Sequence, residues 1–156
     1  MLSGCVYRTE IYAPQAPLAA DHVQGEEIVI RRDSLKVQVA VQQPQNKTFI
    51  DLSMVFTEVD PSTRFASHDF YIEADGRYYT PIAPPDVYTL SSNSRAPAPL
   101  AIAENEWLVV RFSLRTDELS TFRVHIPPIT VGGKAVPELD SLTFSRTKQW
   151  RALSPL

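Results

Sequence analysis

The chain of 156 residues holds one cysteine, five glycines and no excess of positive charge. A lone cysteine, Cys5, excludes an intrachain disulfide and a cysteine-cluster metal site. Five glycines leave no Gly-rich loop of the kind that cradles phosphate. No apolar stretch reaches the roughly 18 residues of a membrane-spanning helix. Fifteen Lys and Arg against 18 Asp and Glu give a net charge of −3. That balance offers no basic stripe, so no nucleic-acid partner is expected. What is present is a 44% hydrophobic composition and 13 prolines. The apolar share is enough to bury a core, and the length suits one globular domain plus a tail.

The hydrophobic pattern has a period of two, which places apolar residues on one face of an extended strand. In Ser34–Gln42, Leu35, Val37, Val39 and Val41 alternate with Lys36, Gln38, Ala40 and Gln42. The pattern returns in Ile50, Leu52, Met54 and Phe56, predicting an antiparallel pair whose register the two apolar faces hold. A short run from Glu26 to Ile30 predicts an opening strand. Phe70 and Ile72 continue the alternation, and Asp75-Gly76 predicts a hairpin with a return over Arg77–Ile82. Pro81, Pro84 and Pro85 place that return at an edge. Ser91–Pro99 reads as a long loop. Leu108, Val110, Phe112 and Leu114 form the next inward set, followed by Phe122, Val124 and Ile126. Gly132-Gly133 predicts a tight turn, and Leu142 with Phe144 a last strand. The expected fold is all-β: an antiparallel, immunoglobulin-like β-sandwich of seven to nine strands, with a small barrel as the alternative. Residues 26–156 would form it. Residues 6–25, with Pro14 and Pro17 and no sustained period, read as a flexible tether completing an N-terminal segment of 1–25.

Leu2-Ser3-Gly4-Cys5 resembles the lipobox of bacterial lipoproteins, a leucine and two small residues before the cysteine that becomes lipidated. The resemblance implies acylation of Cys5, a membrane contact through that anchor, and a periplasmic address. Val6 stands where inner-membrane retention would show Asp, which by the same resemblance favours the outer membrane. Only four residues precede Cys5, so the signal's basic and apolar regions are absent and the chain is expected to begin inside a signal peptide. The Asp75-Gly76 hairpin, the acid-then-strand segment after it and the Gly132-Gly133 ending are similar to small immunoglobulin-like domains of secreted bacterial lipoproteins.

Residues with reactive chemistry do not group. Ser67-His68-Asp69 contains the three triad types, but neighbours on an extended chain face opposite ways, and a triad needs mutual reach. His22, His68 and His125 lie far apart in sequence, so no metal site and no cofactor are expected. No catalytic residue is assigned, and the chain reads as non-enzymatic. The aromatics are the better lead. Tyr71, Tyr78, Tyr79, Tyr88, Trp107 and Trp150 fall largely opposite the inferred core face or in turns, and Tyr78-Tyr79 puts one ring on each face. Exposed rings bind partner proteins or sugars, since a flat ring covers apolar area at small entropic cost. Tyr78, Tyr79, Tyr88, Trp107 and Trp150 are therefore the candidate binding residues. Arg146, Lys148, Trp150 and Arg151 form a small basic-aromatic cluster suited to an anionic headgroup or acidic partner. The expected function is a lipid-anchored scaffold or binding domain that engages another cell-envelope protein, with a glycan- or small-ligand-binding module as the alternative.

Overall fold

Alternation becomes burial along each long strand. The computed structural model describes residues 6–14, 22–24, 27–32, 34–43, 48–89, 91, 94–114 and 119–152. The first large sheet is a meander at its centre: β3 (Glu27–Arg32), β4 (Leu35–Gln42) and β5 (Phe49–Val59) pair antiparallel in turn. On one side of β5 follow β11 (Glu106–Ser113), β9 (Asp86–Thr89) and β10 (Arg95–Pro97), and beside β3 lies β2 (His22–Gln24). The second large sheet runs β1 (Val6–Pro14), β15 (Ser141–Ala152), β12 (Thr121–His125), β7 (Tyr71–Ala74) and β8 (Arg77–Tyr79). All these pairings are antiparallel.

The strand order settles the topology. Taking β4, β5, β7, β8, β9, β11, β12 and β15 as A, B, C, C′, D, E, F and G, one sheet reads D-E-B-A and the other C′-C-F-G. That is the immunoglobulin-like sandwich, extended by β2 and β3 beyond A, β10 beyond D and β1 beyond G. Two open sheets with distinct edges exclude the small barrel. Fifteen strands are described rather than seven to nine, the surplus being mostly pieces of two to four residues.

The inward residues of both sheets make one core. Ile28, Ile30, Val37, Val39, Leu52, Met54 and Phe56 face Ile72, Phe122, Val124, Leu142 and Phe144, all buried. Each such side chain contributes roughly 1.5–3 kcal/mol of transfer free energy. Rings pack against one another on the inner side of the C′-C-F-G sheet: Phe122 stacks on Phe144 at 5.9 Å, and Tyr12 meets Phe122 edge-on at 5.0 Å.

One expectation is corrected. Val6–Pro14 is not part of a tether; it is a nine-residue edge strand paired along its whole length with β15, and Ile11 and Tyr12 are buried. Val6, Tyr7, Thr9, Ile11 and Tyr12 are residue types that suit a pleated, half-buried surface, and Pro14 ends the strand where an edge tolerates it. His22–Gln24 is likewise a short strand, paired with β3. The sandwich therefore includes segments on both sides of the expected boundary at residue 26. Cys5, residues 15–21 and Gly25 lie outside the described residues.

A third, small sheet closes one end. β13 (Ile129–Val131) and β14 (Lys134–Ala135) form the hairpin foreseen at Gly132-Gly133, both glycines having positive φ. This hairpin, between F and G, pairs with β6 (Arg64–Phe65), which lies between B and C. Phe65 also donates its N–H to Leu100 O, and Ile102 to Thr63 O, which ties in the connection between D and E. Backbone bonds thus join these three connections at one end.

Candidate functional site

The expected binding aromatics divide among four places. Tyr88 and Trp107 come together on the outer face of the D-E-B-A sheet, because β9 and β11 pair with Tyr88 opposite Trp107. Their rings lie 5.2 Å apart at 36°. The indole N–H of Trp107 donates to Ser53 Oγ at 2.6 Å, and Ser53 is itself buried although it stands at an outward position of β5. Trp107 therefore covers a hydroxyl that would otherwise have to be solvated. Around this pair the face is closed by ion pairs. Arg111 clamps Asp51 through two bonds of 2.7 and 2.9 Å and lies over the Phe49 ring, and Arg95 bonds Asp86 at 2.8 Å. Those carboxylate hydrogen bonds hold both guanidinium groups above their usual pKa.

The other face is different. Tyr78 stands on the short edge strand β8 with 69% of its surface exposed, beside Tyr71 at 5.8 Å in a T-shaped contact. Tyr71 in turn lies flat on His125, with centroids 4.2 Å apart and planes within 8°. His125 Nε2 donates to Glu73 Oε2 at 3.1 Å. This ladder crosses three strands because β7 pairs with β8 on one side and β12 on the other, bringing Tyr71 opposite His125 and Glu73 opposite Tyr78. Arg123 and Thr143 continue the Glu73 row. The result is an aromatic cluster on the outer face with Glu73 and Arg123 in register beside it.

Tyr79 points the opposite way and packs partly buried against the core, so the expected split of the Tyr78-Tyr79 pair holds and Tyr79 leaves the candidate set. Trp150 takes its place in β15 opposite Arg8, and its side chain lies outside the described residues. Tyr71–Tyr78 meet at 64° and Tyr88–Trp107 at 36°, so neither pair forms the flat double platform that stacks on a sugar.

Ser67, His68 and Asp69 enter separate local bonds. Ser67 Oγ accepts from the Asp69 backbone N–H at 3.2 Å, and the His68 ring meets Pro99 O at 3.2 Å. Among the described residues no three His, Cys, Asp or Glu side chains gather as metal ligands would. One groove of about 470 Å³ opens at the bonded loop end, lined by Arg32, Asp60, Ser62, Lys134 and neighbours. Asp60 accepts from the hydroxyl and the backbone N–H of Ser62, which lowers its pKa, while Gly132 N–H donates to Ser62 Oγ at 2.7 Å. Sequence reasoning had no signal for this groove, whose walls come from three separate connections.

No family model matches the chain, and no curated protein sequence matches it. Among solved structures, the chain is similar to the GAE domain of GGA2p from Saccharomyces cerevisiae at 12% identity and a TM-score of 0.30, over 83% of this chain and 99% of that one. A likeness at that level bears on neither the fold nor the function.

Proposed function

We propose that this chain is a non-enzymatic, lipid-anchored domain of a bacterial envelope that docks another envelope protein through the outer face of its C′-C-F-G sheet. The observation that carries the reading is Tyr78, a large ring mostly in water and in edge contact with the Tyr71–His125 stack. A ring fixed before contact loses little freedom on binding, so its buried area converts efficiently to affinity. Glu73 and Arg123 beside it supply the polar rim that selects a partner. The anchor rests on the resemblance of Leu2–Cys5 to a lipobox, and with it the periplasmic, outer-membrane address.

The test places a photoreactive residue at position 78 in the full-length precursor in intact cells, with Thr57 on the opposite sheet as control. The expected result is one discrete adduct with an envelope protein from position 78 and none from position 57. Adducts of equal yield from both faces, or none, would contradict the docking face. The mass of the Cys5 peptide from the membrane fraction tests the anchor separately, and an unmodified thiol removes it.

A glycan or small ligand is the second reading. The groove favours it, since Arg32, Lys134 and Asp60 place both signs of charge around a space of ligand size.

A further inference from the structure

Among the described residues, β15 runs past its last rung with β12 while still paired with β1. The last pairing that β15 shares with β12 is Thr121↔Ser145, and Arg146 N–H still donates to Ser120 O at 2.7 Å. Residues 147–152 then run on with β1 as their partner in the sheet, a two-stranded ribbon extending about 20 Å at 3.3 Å per residue. Its outermost rung is Val6↔Ala152, and Val6 follows Cys5 in the sequence. The bonded loops sit at the opposite end, because β15 begins at Ser141 beside His125, just after them.

Charge on this ribbon departs from the rest of the chain. Residues 6–12 and 146–152 carry Arg8, Arg146, Lys148 and Arg151 against the one carboxylate of Glu10, a net +3. The whole chain carries −3, which leaves −6 for everything else. Register pairs Arg8 with Trp150, Glu10 with Lys148, Tyr12 with Arg146 and Tyr7 with Arg151 along the backbone. Further in, Tyr12 and Phe144 of the same two strands are buried. Past the body, the sequence of the two strands turns to cations and a tryptophan.

We propose that this ribbon is a foot that lies on an anionic phospholipid surface and stands the domain with its bonded loop end away from the bilayer. Basic residues are drawn to anionic headgroups, and Trp and Tyr favour the interfacial depth. The acidic remainder is repelled by the same surface, so the charge separation orients the domain as well as attracting it. The proposal takes its setting from the lipid-anchored reading, which replaces a free leash with an anchor adjoining a folded strand.

The test uses the full chain with Cys5→Ser, which carries no lipid, and sedimentation with phosphatidylcholine vesicles with and without one third phosphatidylglycerol. Binding is expected to the anionic vesicles only, and to fall as salt rises. Lys148→Gln with Arg151→Gln is expected to weaken it about 25-fold. Trp150 emission should shift to the blue on anionic vesicles, read in a Trp107→Phe background or, should that variant unfold, as a difference against Trp150→Phe. Equal partitioning to both vesicles, no partitioning, or binding indifferent to the double substitution would overturn the foot. Because the protein here is unacylated, a negative result leaves the anchor standing, and an unmodified Cys5 in membranes leaves the foot standing.

Discussion

The two outer faces of the sandwich both carry an aromatic cluster, yet they use it differently. On the D-E-B-A face Trp107 has its N–H spent on buried Ser53 and its ring against Tyr88, and Arg111 and Arg95 are paired with carboxylates around them. On the C′-C-F-G face Tyr71, His125 and Glu73 spend their contacts on one another and leave Tyr78 in water. The first cluster is complete within the chain. The second is complete except for its outermost ring. The two clusters thus differ in that Trp107 spends its polar tip within the sheet face, whereas Tyr78 keeps most of its surface in water.

Substitutions can break or sharpen this contrast. The largest effect on stability should come from Trp107→Ala, which removes a packed indole and strands the Ser53 hydroxyl; a loss of about 3 kcal/mol is expected by denaturant unfolding. If that variant were as stable as the parent, the D-E-B-A cluster would not be structural. Ser53→Ala leaves the indole N–H without its acceptor and should cost about 1 kcal/mol in the same measurement. Thr63→Val moves the other way. Among the described residues its buried Oγ1 has no hydrogen-bond partner, so replacing the hydroxyl with a methyl should raise stability by about 1 kcal/mol. Smaller still is the effect of pH through Asp60, at the loop end and on neither face. Its folded pKa lies below the unfolded value of about 3.9, owing first to the Ser62 hydroxyl and then to the Ser62 N–H. Its contribution is therefore present above pH ~4 and lost as pH falls through the lowered folded value. Asp60→Asn should narrow the stability gap to the parent on acidification, whereas a gap constant from neutral pH to below the folded pKa would show that the Ser62 bonds do not favour the carboxylate.

Period-two segments were readable because local alternation alone decides which face is buried. Leu35–Gln42 and Phe49–Val59 needed no tertiary information, and the Asp75-Gly76 and Gly132-Gly133 turns announced their hairpins. β1 was not readable. Its partner β15 lies at the far end of the chain, and Pro14 and Pro17 around an Ala-rich stretch resemble a linker when that partner is unseen. β9 and β10 hide among prolines for the same reason, paired at a sheet edge that tolerates them. At the site, parity alone separated Tyr78 from Tyr79. The stacking of His125 on Tyr71 was not legible, since it arises from the F strand settling beside C, a long-range pairing with no local signature.

The direct measurement is the affinity of the cross-linked partner, once isolated, for the parent chain and for Tyr78→Ala, with unfolding followed on the same samples. The account predicts an affinity loss of about 30-fold or more with stability unchanged within about 0.5 kcal/mol. Undiminished affinity in a folded Tyr78→Ala protein would contradict it.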